Sequence, residues 1–347
     1  MIYTPSQKPI AIWLLVCCTV VFGMIILGAV TRLTGSGLSM VQWEPIMGIF
    51  PPSSLAEWQE TFLLYQQFPE YQLKNFGMSL GEFKSIFWFE YGHRLLGRSI
   101  GIIFLLPFLF FLIRGKIGRA LAPRLITMFE LGGLQGLMGW YMVQSGLVDD
   151  PRVSQYRLTA HLALAVIIYV YMLWVALDLL FPKVNDNTKD VSHKSGQLSL
   201  IITGIIFITV LSGGFVAGTR AGFAFNTFPL MNGQLVPAGL FELSPVWRNF
   251  FENIVAVQFN HRVLAALLFI IIPAFWLKAR KLELEPMTHF SIHLLLAALI
   301  LQIILGISTL LLVVPVALAA SHQAGAIVLL TVSLFVSHQL RKQNSAA

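Results

Sequence analysis

Phe89-Glu90-Tyr91-Gly92-His93-Arg94 runs straight into the apolar stretch from Ser99 to Ile113. Ionisable side chains inside a membrane span cost roughly 2.5 to 3.5 kcal/mol each on insertion scales, so chains keep them mainly where they bind or react. A related stretch, Val257-Gln258-Phe259-Asn260-His261-Arg262, opens another apolar run about half a chain later. His93 and Arg94 therefore have counterparts in His261 and Arg262, whereas the counterpart of Glu90 is Gln258.

Working outward, 56% of the 347 residues are hydrophobic and 11% charged, where a soluble domain carries about 25% charge. Runs long enough for the roughly 20 residues that cross about 30 Å of hydrocarbon fall at 10–31, 86–113, 125–146, 158–181, 198–218, 254–277, 289–314 and 316–338. The expected fold is all-α, a polytopic membrane protein with eight transmembrane helices. The net charge of +7 is spread over short loops beside these runs, as topology signals are, and this argues against a nucleic-acid partner. With the N-terminus in the cytoplasm, thirteen Lys and Arg flank the inner helix ends and seven the outer ones. Both termini are therefore expected in the cytoplasm.

The first run is longer than a signal h-region and has no small-residue cleavage site at Gly28 to Arg32, so it is read as retained. With no presequence ahead of residue 10, the expected location is a bacterial inner membrane. Cys17 and Cys18, the only cysteines, are adjacent within that first run. Neither a disulfide framework nor a cysteine zinc site is available from them, and any redox chemistry needs a cofactor.

The two related stretches belong to a longer repeat. Gly28 to Gly48 and Gly213 to Gly233 are both 21 residues, and Trp43-Glu44-Pro45-Ile46-Met47-Gly48 resembles Phe228-Pro229-Leu230-Met231-Asn232-Gly233. Leu134-Gln135-Gly136-Leu137-Met138-Gly139 matches Leu301-Gln302-Ile303-Ile304-Leu305-Gly306, and Ala160-His161 matches Ser321-His322. The chain reads as two tandem, pseudo-symmetric four-helix bundles related by an axis along the membrane normal. They are 1–181 with a long outer loop, a cytoplasmic linker at 182–197, and 198–347. Within the long loop, Ser54-Leu55-Ala56-Glu57 has capping-box form and opens an amphipathic segment carrying Leu55, Trp58, Phe62 and Tyr65, which lies on the membrane surface or caps the bundle. Ser79-Leu80-Gly81-Glu82 has the same form and starts the second long helix near residue 80.

Of eight histidines, His193, His289, His293 and His338 have no repeat partners and lie in an inner loop or near inner helix ends, where ordinary interfacial or solvated roles are expected. His93, His161, His261 and His322 fall on the second, fourth, sixth and eighth spans, each in its outer half. Two imidazoles facing a shared interior can hold an iron porphyrin from opposite sides. Zinc is disfavoured by having two histidines per half and no nearby cysteine; helix-to-helix hydrogen bonding is the structural alternative.

Arg94 and Arg262 follow two of these histidines and can meet porphyrin propionates through paired charge-assisted bonds, or snorkel to the interface. Arg98 can do the same, or pair with Glu130. Glu90 lies one turn before His93 on the same helix face. A carboxylate can exchange protons with a reacting ligand, whereas the amide of Gln258 can only hydrogen-bond. The first half is then the candidate reaction site and the second holds a permanent cofactor; the structural alternative makes Glu90 the partner of Arg94 or of a loop residue. Gly132, Gly133, Gly136 and Gly139 are read as sites of close helix approach.

Six motifs recur in order over nearly the whole chain: Gly37-Leu38-Ser39-Met40-Val41-Gln42-Trp43, Gln67-Phe68-Pro69-Glu70-Tyr71, Glu90-Tyr91-Gly92-His93-Arg94-Leu95-Leu96-Gly97-Arg98, Arg152-Val153-Ser154-Gln155-Tyr156-Arg157, Asn226-Thr227-Phe228-Pro229-Leu230-Met231 and His261-Arg262. In these the sequence resembles the haem A synthase family, the cytochrome oxidase assembly enzymes of bacteria and mitochondria. The resemblance implies oxidation of one ring methyl of haem O, by successive hydroxylations and loss of water, to the formyl group of haem A. It implies that His93 and His161 flank the substrate haem with Glu90 as the essential acid, and that His261 and His322 are axial ligands of a bound haem b that relays electrons. Haem O synthase and an electron donor are the implied partners, and a homo-oligomer is compatible. Lacking cysteines in the long loops, the chain resembles the cysteine-free type of proteobacteria and mitochondria. Two alternatives are a di-haem b-type membrane cytochrome and a haem carrier, neither of which gives Glu90 a reason to differ from Gln258.

Overall fold

The computed structural model describes residues 7–42, 47–147, 153–182 and 193–344. Most of the Trp43 to Gly48 hexapeptide, Arg152 of the motif it opens, and most of the 182–197 linker lie outside the described residues. Ten α-helices follow in order: α1 Lys8–Leu33, α2 Leu55–Gln66, α3 Pro69–Leu73, α4 Leu80–Ile113, α5 Ala122–Gly146, α6 Gln155–Leu180, α7 His193–Thr219, α8 Ile254–Ala279, α9 Pro286–Leu311 and α10 Val316–Asn344.

Seven of these, α1, α4, α6, α7, α8, α9 and α10, are long and apolar enough to cross a membrane. The remaining long helix, α5, has 25 residues, about 37 Å at 1.5 Å each, which is length enough. Arg124, Glu130, Gln135 and Gln144 along it dilute its apolar character.

The helix starts are set by local chemistry. Ser79 caps α4: its hydroxyl accepts from the Glu82 amide at 3.3 Å, and the Glu82 carboxylate accepts from the Ser79 amide at 2.8 Å, satisfying two otherwise orphaned donors. Ser54 caps α2 in the same way, but Glu57 turns to the amide of Ser53 at 2.6 Å rather than to that of Ser54. At 34 residues, α4 is about 51 Å long and so outruns the hydrocarbon thickness. Its surplus first turns carry Phe83 and Phe87, against which α2 lays Trp58, Phe62 and Tyr65. Ring centres stand 4.9 Å apart for Trp58 and Phe87 and 5.1 Å for Tyr65 and Phe83. The amphipathic segment therefore caps the start of α4, and only Leu55 of its expected apolar face is left exposed.

Backbone contacts divide the chain into two compact units, Met1–Thr19 with Val166–Ala347, and Val20–Ala165. The boundary passes through α1 and α6, so each of these helices gives one half to either unit. In the first unit α7 packs on α8 and α10, and α9 packs on the same two, closing a four-helix ring. Ile272, Phe275, Ile292, Leu295, Ile327 and Leu330 fill its interior. A hydroxyl ladder of Thr203 with Ser333 (2.7 Å) and Ser337 (3.0 Å) ties α7 to α10, replacing bonds to water that the interior does not offer. In the second unit the close backbone approaches are those of α4 with α5 and of α4 with α2.

The expected close approach of a helix at three α5 glycines is not seen within the described residues, none of which lies within 4 Å of where a Cβ would stand on Gly132, Gly133 or Gly136. With Leu137 and Trp140, Gly133 and Gly136 instead line an open groove of about 470 Å³.

Candidate functional site

Each of the four repeat histidines has a glycine of the preceding long helix against its ring. A Cβ on Gly28 of α1 would stand 3.1 Å from Nε2 of His93 on α4, and one on Gly139 of α5 would stand 3.3 Å from Cε1 of His161 on α6. The second half repeats this: Gly213 of α7 would meet Cε1 of His261 on α8 at 3.4 Å, and Gly306 of α9 would meet Cε1 of His322 on α10 at 2.8 Å. Gly28 matches Gly213 and Gly139 matches Gly306 in the repeat, so the duplication extends to the space beside each ring. Gly139 is thus a site of close approach, with an imidazole as the neighbour.

Turn geometry fixes the register. Gly35 and its match Arg220 both adopt left-handed backbone, with φ of 66° and 58°. From that turn the chain returns over α4 in one half and over α8 in the other. There it is held by an i, i+4 pair of side chains. Glu90, 2% exposed, accepts from Ser39 Oγ at 2.7 Å and the Met40 amide at 2.8 Å through Oε2, and from Arg94 Nη2 at 2.6 Å through Oε1. Arg94 also donates to the carbonyls of Met40 (2.6 Å) and Gln42 (3.1 Å). In the second half, Gln258 donates to the carbonyls of Ala221 at 2.8 Å and Phe225 at 3.3 Å, and Arg262 donates to Phe225 O at 2.9 Å and to Gln258 Oε1 at 3.3 Å. Met40 and Phe225 are matched residues. One strap holds a carboxylate–guanidinium ion pair and the other a guanidinium with an amide, and where Ser39 gives the carboxylate a hydroxyl, the match is Ala224.

The ion pair makes Glu90 the partner of both Arg94 and the loop, the structural alternative weighed above. Arg98 donates to Gly48 O at 3.2 Å, so it joins the same strap. Arg262 differs: its Nε and Nη1 are buried without a hydrogen-bond partner. Those two donors are suited to an anionic group such as a propionate.

His261 and His322 come together with ring centres 6.4 Å apart and planes at 83°. Two imidazoles bonded to one iron from opposite sides have ring centres on the order of 6 Å apart, from a metal–nitrogen distance of about 2 Å. Ser212 Oγ lies 2.7 Å from Nδ1 of His261, and Gln302 Nε2 lies 3.1 Å from Nδ1 of His322. Nε2 of His261 is left for a metal, whereas the Gln302 amide can only donate to Nδ1 of His322, a bond that has to give way for Nε2 of that ring to bind one. The ring separation therefore fits a haem between α8 and α10 of this unit. Gln135 Nε2 approaches Nε2 of His161 at 3.4 Å and donates to its carbonyl at 3.1 Å, leaving Nδ1 buried without a partner.

Sequence reading missed several of these groups. Gln135 and Gln302 sit in the matched hexapeptides, yet their bonds to the histidines of the next helix carry no local signal. His338, expected at an interface, is buried and bonds Asp178 through Nε2 at 3.1 Å, beneath the ring of Trp174. His293 and His289 are anchored more loosely, to the Trp276 indole at 2.9 Å and to Arg280 O at 3.1 Å.

Beside the ionic strap, α3 buries Glu70, whose Oε2 is 3.4 Å from the Tyr65 hydroxyl, itself accepting from Asn75 at 2.7 Å. Burial pushes the Glu70 carboxyl up to about 7, and the charge of Glu90 adds to the rise against the opposing pull of Lys74 and Arg32.

The profile of a family described as cytochrome oxidase assembly protein matches residues 11–334. A protein of Nitrosospira multiformis named Heme A synthase is 56% identical over 342 residues, covering 97% of this chain and 95% of its own. The Nitrosomonas eutropha protein of the same name is 54% identical over 339 residues, covering 97% and 95%. The Homo sapiens protein named Heme A synthase COX15 is 44% identical over 346 residues, covering 97% and 84%.

Proposed function

Because the chain belongs to the cytochrome oxidase assembly protein family, we propose that it is a haem A synthase, a membrane oxidoreductase that turns the ring methyl of haem O into the formyl group of haem A. The observation that supports this reading is a pair of histidine sites on one repeated plan in which an acid stands beside only one: Glu90 beside His93, Gln258 beside His261. His93 and His161 would hold the substrate haem O, and His261 and His322 would hold haem b, which would supply one-electron chemistry when bound.

Gly28 and Gly139 pack against the first pair of rings, and the groove along α5 lies in the same unit. Glu90 takes and returns the protons that successive oxidations of the methyl group release, while Arg94 holds its carboxylate in place and keeps the loop over α4 closed against water. Arg262 pairs a propionate with its two unbonded donor groups. Arg94, with its donors spent on Met40, Gln42 and Glu90, serves the strap first.

In this reading all eight long helices, α5 included, span a bacterial inner membrane with both termini in the cytoplasm. They form two four-helix halves, 1–181 and 198–347. A haem O synthase supplies the substrate, an electron donor feeds haem b, and self-association is compatible. Haem extraction from purified protein, expressed with and without a haem O supply, tests the function. Haem A or hydroxylated haem O beside haem b is expected; haem b alone, with no conversion of supplied haem O, would replace the enzyme by a membrane cytochrome.

A further inference from the structure

Resting on that reading, we propose that Ser212 is a positioning residue that makes His261 a permanent haem ligand, and that the lack of its hydroxyl in the first half is what lets the substrate haem leave. The hydroxyl of Ser212 lies 2.8 Å from Thr209 O and 2.7 Å from Nδ1 of His261. We assign its hydrogen to the carbonyl, which leaves Oγ to accept from Nδ1–H of His261. The tautomer follows: the proton sits on Nδ1 and the lone pair on Nε2, the state an iron needs. A ligand held this way is turned to the metal before the metal arrives, and the bond to Nδ1 raises its basicity.

The matched position one residue before Gly28 is Leu27, which has no hydroxyl to offer His93. Among the described residues no hydrogen bond holds the His93 ring.

The second ligand of each pair differs in the same sense. Gln302 reaches Nδ1 of His322 and the carbonyl of the same residue at 2.9 Å. It does so by crossing α10 at Gly325, where a Cβ would overlap its Oε1. Three residues after His161 the match is Leu164. There Gln135 keeps the bond to the carbonyl but meets Nε2 in place of Nδ1. His261 and His322 thus each have a side-chain partner at Nδ1, a hydroxyl at the first and an amide donor at the second, and neither ring of the other pair has one among the described residues.

The test uses the full-length purified protein with the haem it acquires on expression, and compares Ser212→Ala, Ser212→Thr and Leu27→Ser. Transfer of haem b to an apo-globin acceptor gives the dissociation rate, and a redox titration gives the midpoint potential. Ser212→Ala is expected to release haem b about 10- to 100-fold faster, the usual loss for removing such a partner, and to raise its potential, because loss of the Nδ1–H bond weakens support for ferric iron. Ser212→Thr is expected to restore both, and Leu27→Ser to slow the escape of haem from the first pair. Unchanged release and potential in Ser212→Ala, or the same shifts in Ser212→Thr, would overturn the proposal. If haem O is never converted but these shifts appear, the enzyme reading fails and the positioning role stands. Protein carrying no haem b at all would overturn both.

Discussion

The loop straps over α4 and α8 share a backbone path, a left-handed turn and an arginine one turn after the anchoring residue, yet that arginine meets a carboxylate in one and an amide in the other. The difference runs beyond the strap. In the first half the loop brings Ser39 to Glu90 and buries a second carboxyl, Glu70, beside it. In the second half the corresponding segment is organised by Asn249, fully buried, which bonds Leu243 through both its amide groups. A neutral network in a dry setting has no proton to trade and is well suited to holding something still. An ionic one keeps a titratable group beside His93 at the cost of desolvating it. In the proposed reading the same scaffold serves twice, once with an acid beside its histidine and once with an amide there.

The largest effect that tests this division is loss of pigment. His261→Ala or His322→Ala is expected to abolish the haem b spectrum, whereas His93→Ala or His161→Ala leaves it; pyridine haemochrome spectra of the four purified variants decide. Equal loss from both pairs would erase the distinction.

Next, Glu90→Gln gives the first strap the chemistry of the second. Conversion of haem O is expected to fall about 100-fold or more, with haem b retained. Stability should drop by about 3 kcal/mol, because Arg94 loses its carboxylate in a buried setting. Normal conversion in this variant, measured by chromatography of extracted haems, would break the comparison at its centre.

Glu70 gives a smaller, pH-dependent effect. Its carboxyl titrates near 7 in the folded chain against an ordinary 4.5, so the folded state binds the proton more tightly and stability falls as pH rises from about 4.5 to about 7. Glu70→Gln should remove that slope and raise stability at pH 8, by at most about 3 kcal/mol, while changing little at pH 4. Thermal unfolding in detergent across this range checks it, and a slope that survives the substitution would reassign the effect to another group.

The smallest contrast lies among the glycines. Gly306→Ala must push the His322 ring aside from 2.8 Å and should cost about 1–3 kcal/mol. Gly213→Ala meets His261 at an ordinary 3.4 Å and should be neutral or gain up to about 1 kcal/mol from helix propensity. Melting temperatures of the two haem-loaded variants measure the difference.

What could be seen in the sequence was what repeats or caps locally. Ser79 with Glu82 started α4 where the pattern put it, the four histidines stood out by matched spacing, and Glu90 against Gln258 marked the asymmetry. What stayed hidden was contact between helices far apart in sequence. Nothing near Ser212 points to His261, 49 residues on, nor near Asp178 to His338, 160 residues on. The glycines of α5 looked like packing residues because small residues usually serve that purpose; only the fold shows that Gly139 meets a ring and its neighbours meet nothing within the described residues. Arg94 illustrates the same limit, since its spacing from His93 suits a propionate and its actual partners are carbonyls from a loop 40 to 42 that sequence separation conceals.

The matched turns also hold a record of tolerance. Gly35 adopts its left-handed backbone freely, but Arg220 carries a side chain there at a cost of about 1–2 kcal/mol. That residue persists because Gln258 and Arg262 grip the carbonyls of Ala221 and Phe225 just beyond it. The two copies thus differ in the residue that makes the turn and agree in the strap that holds the chain beyond it.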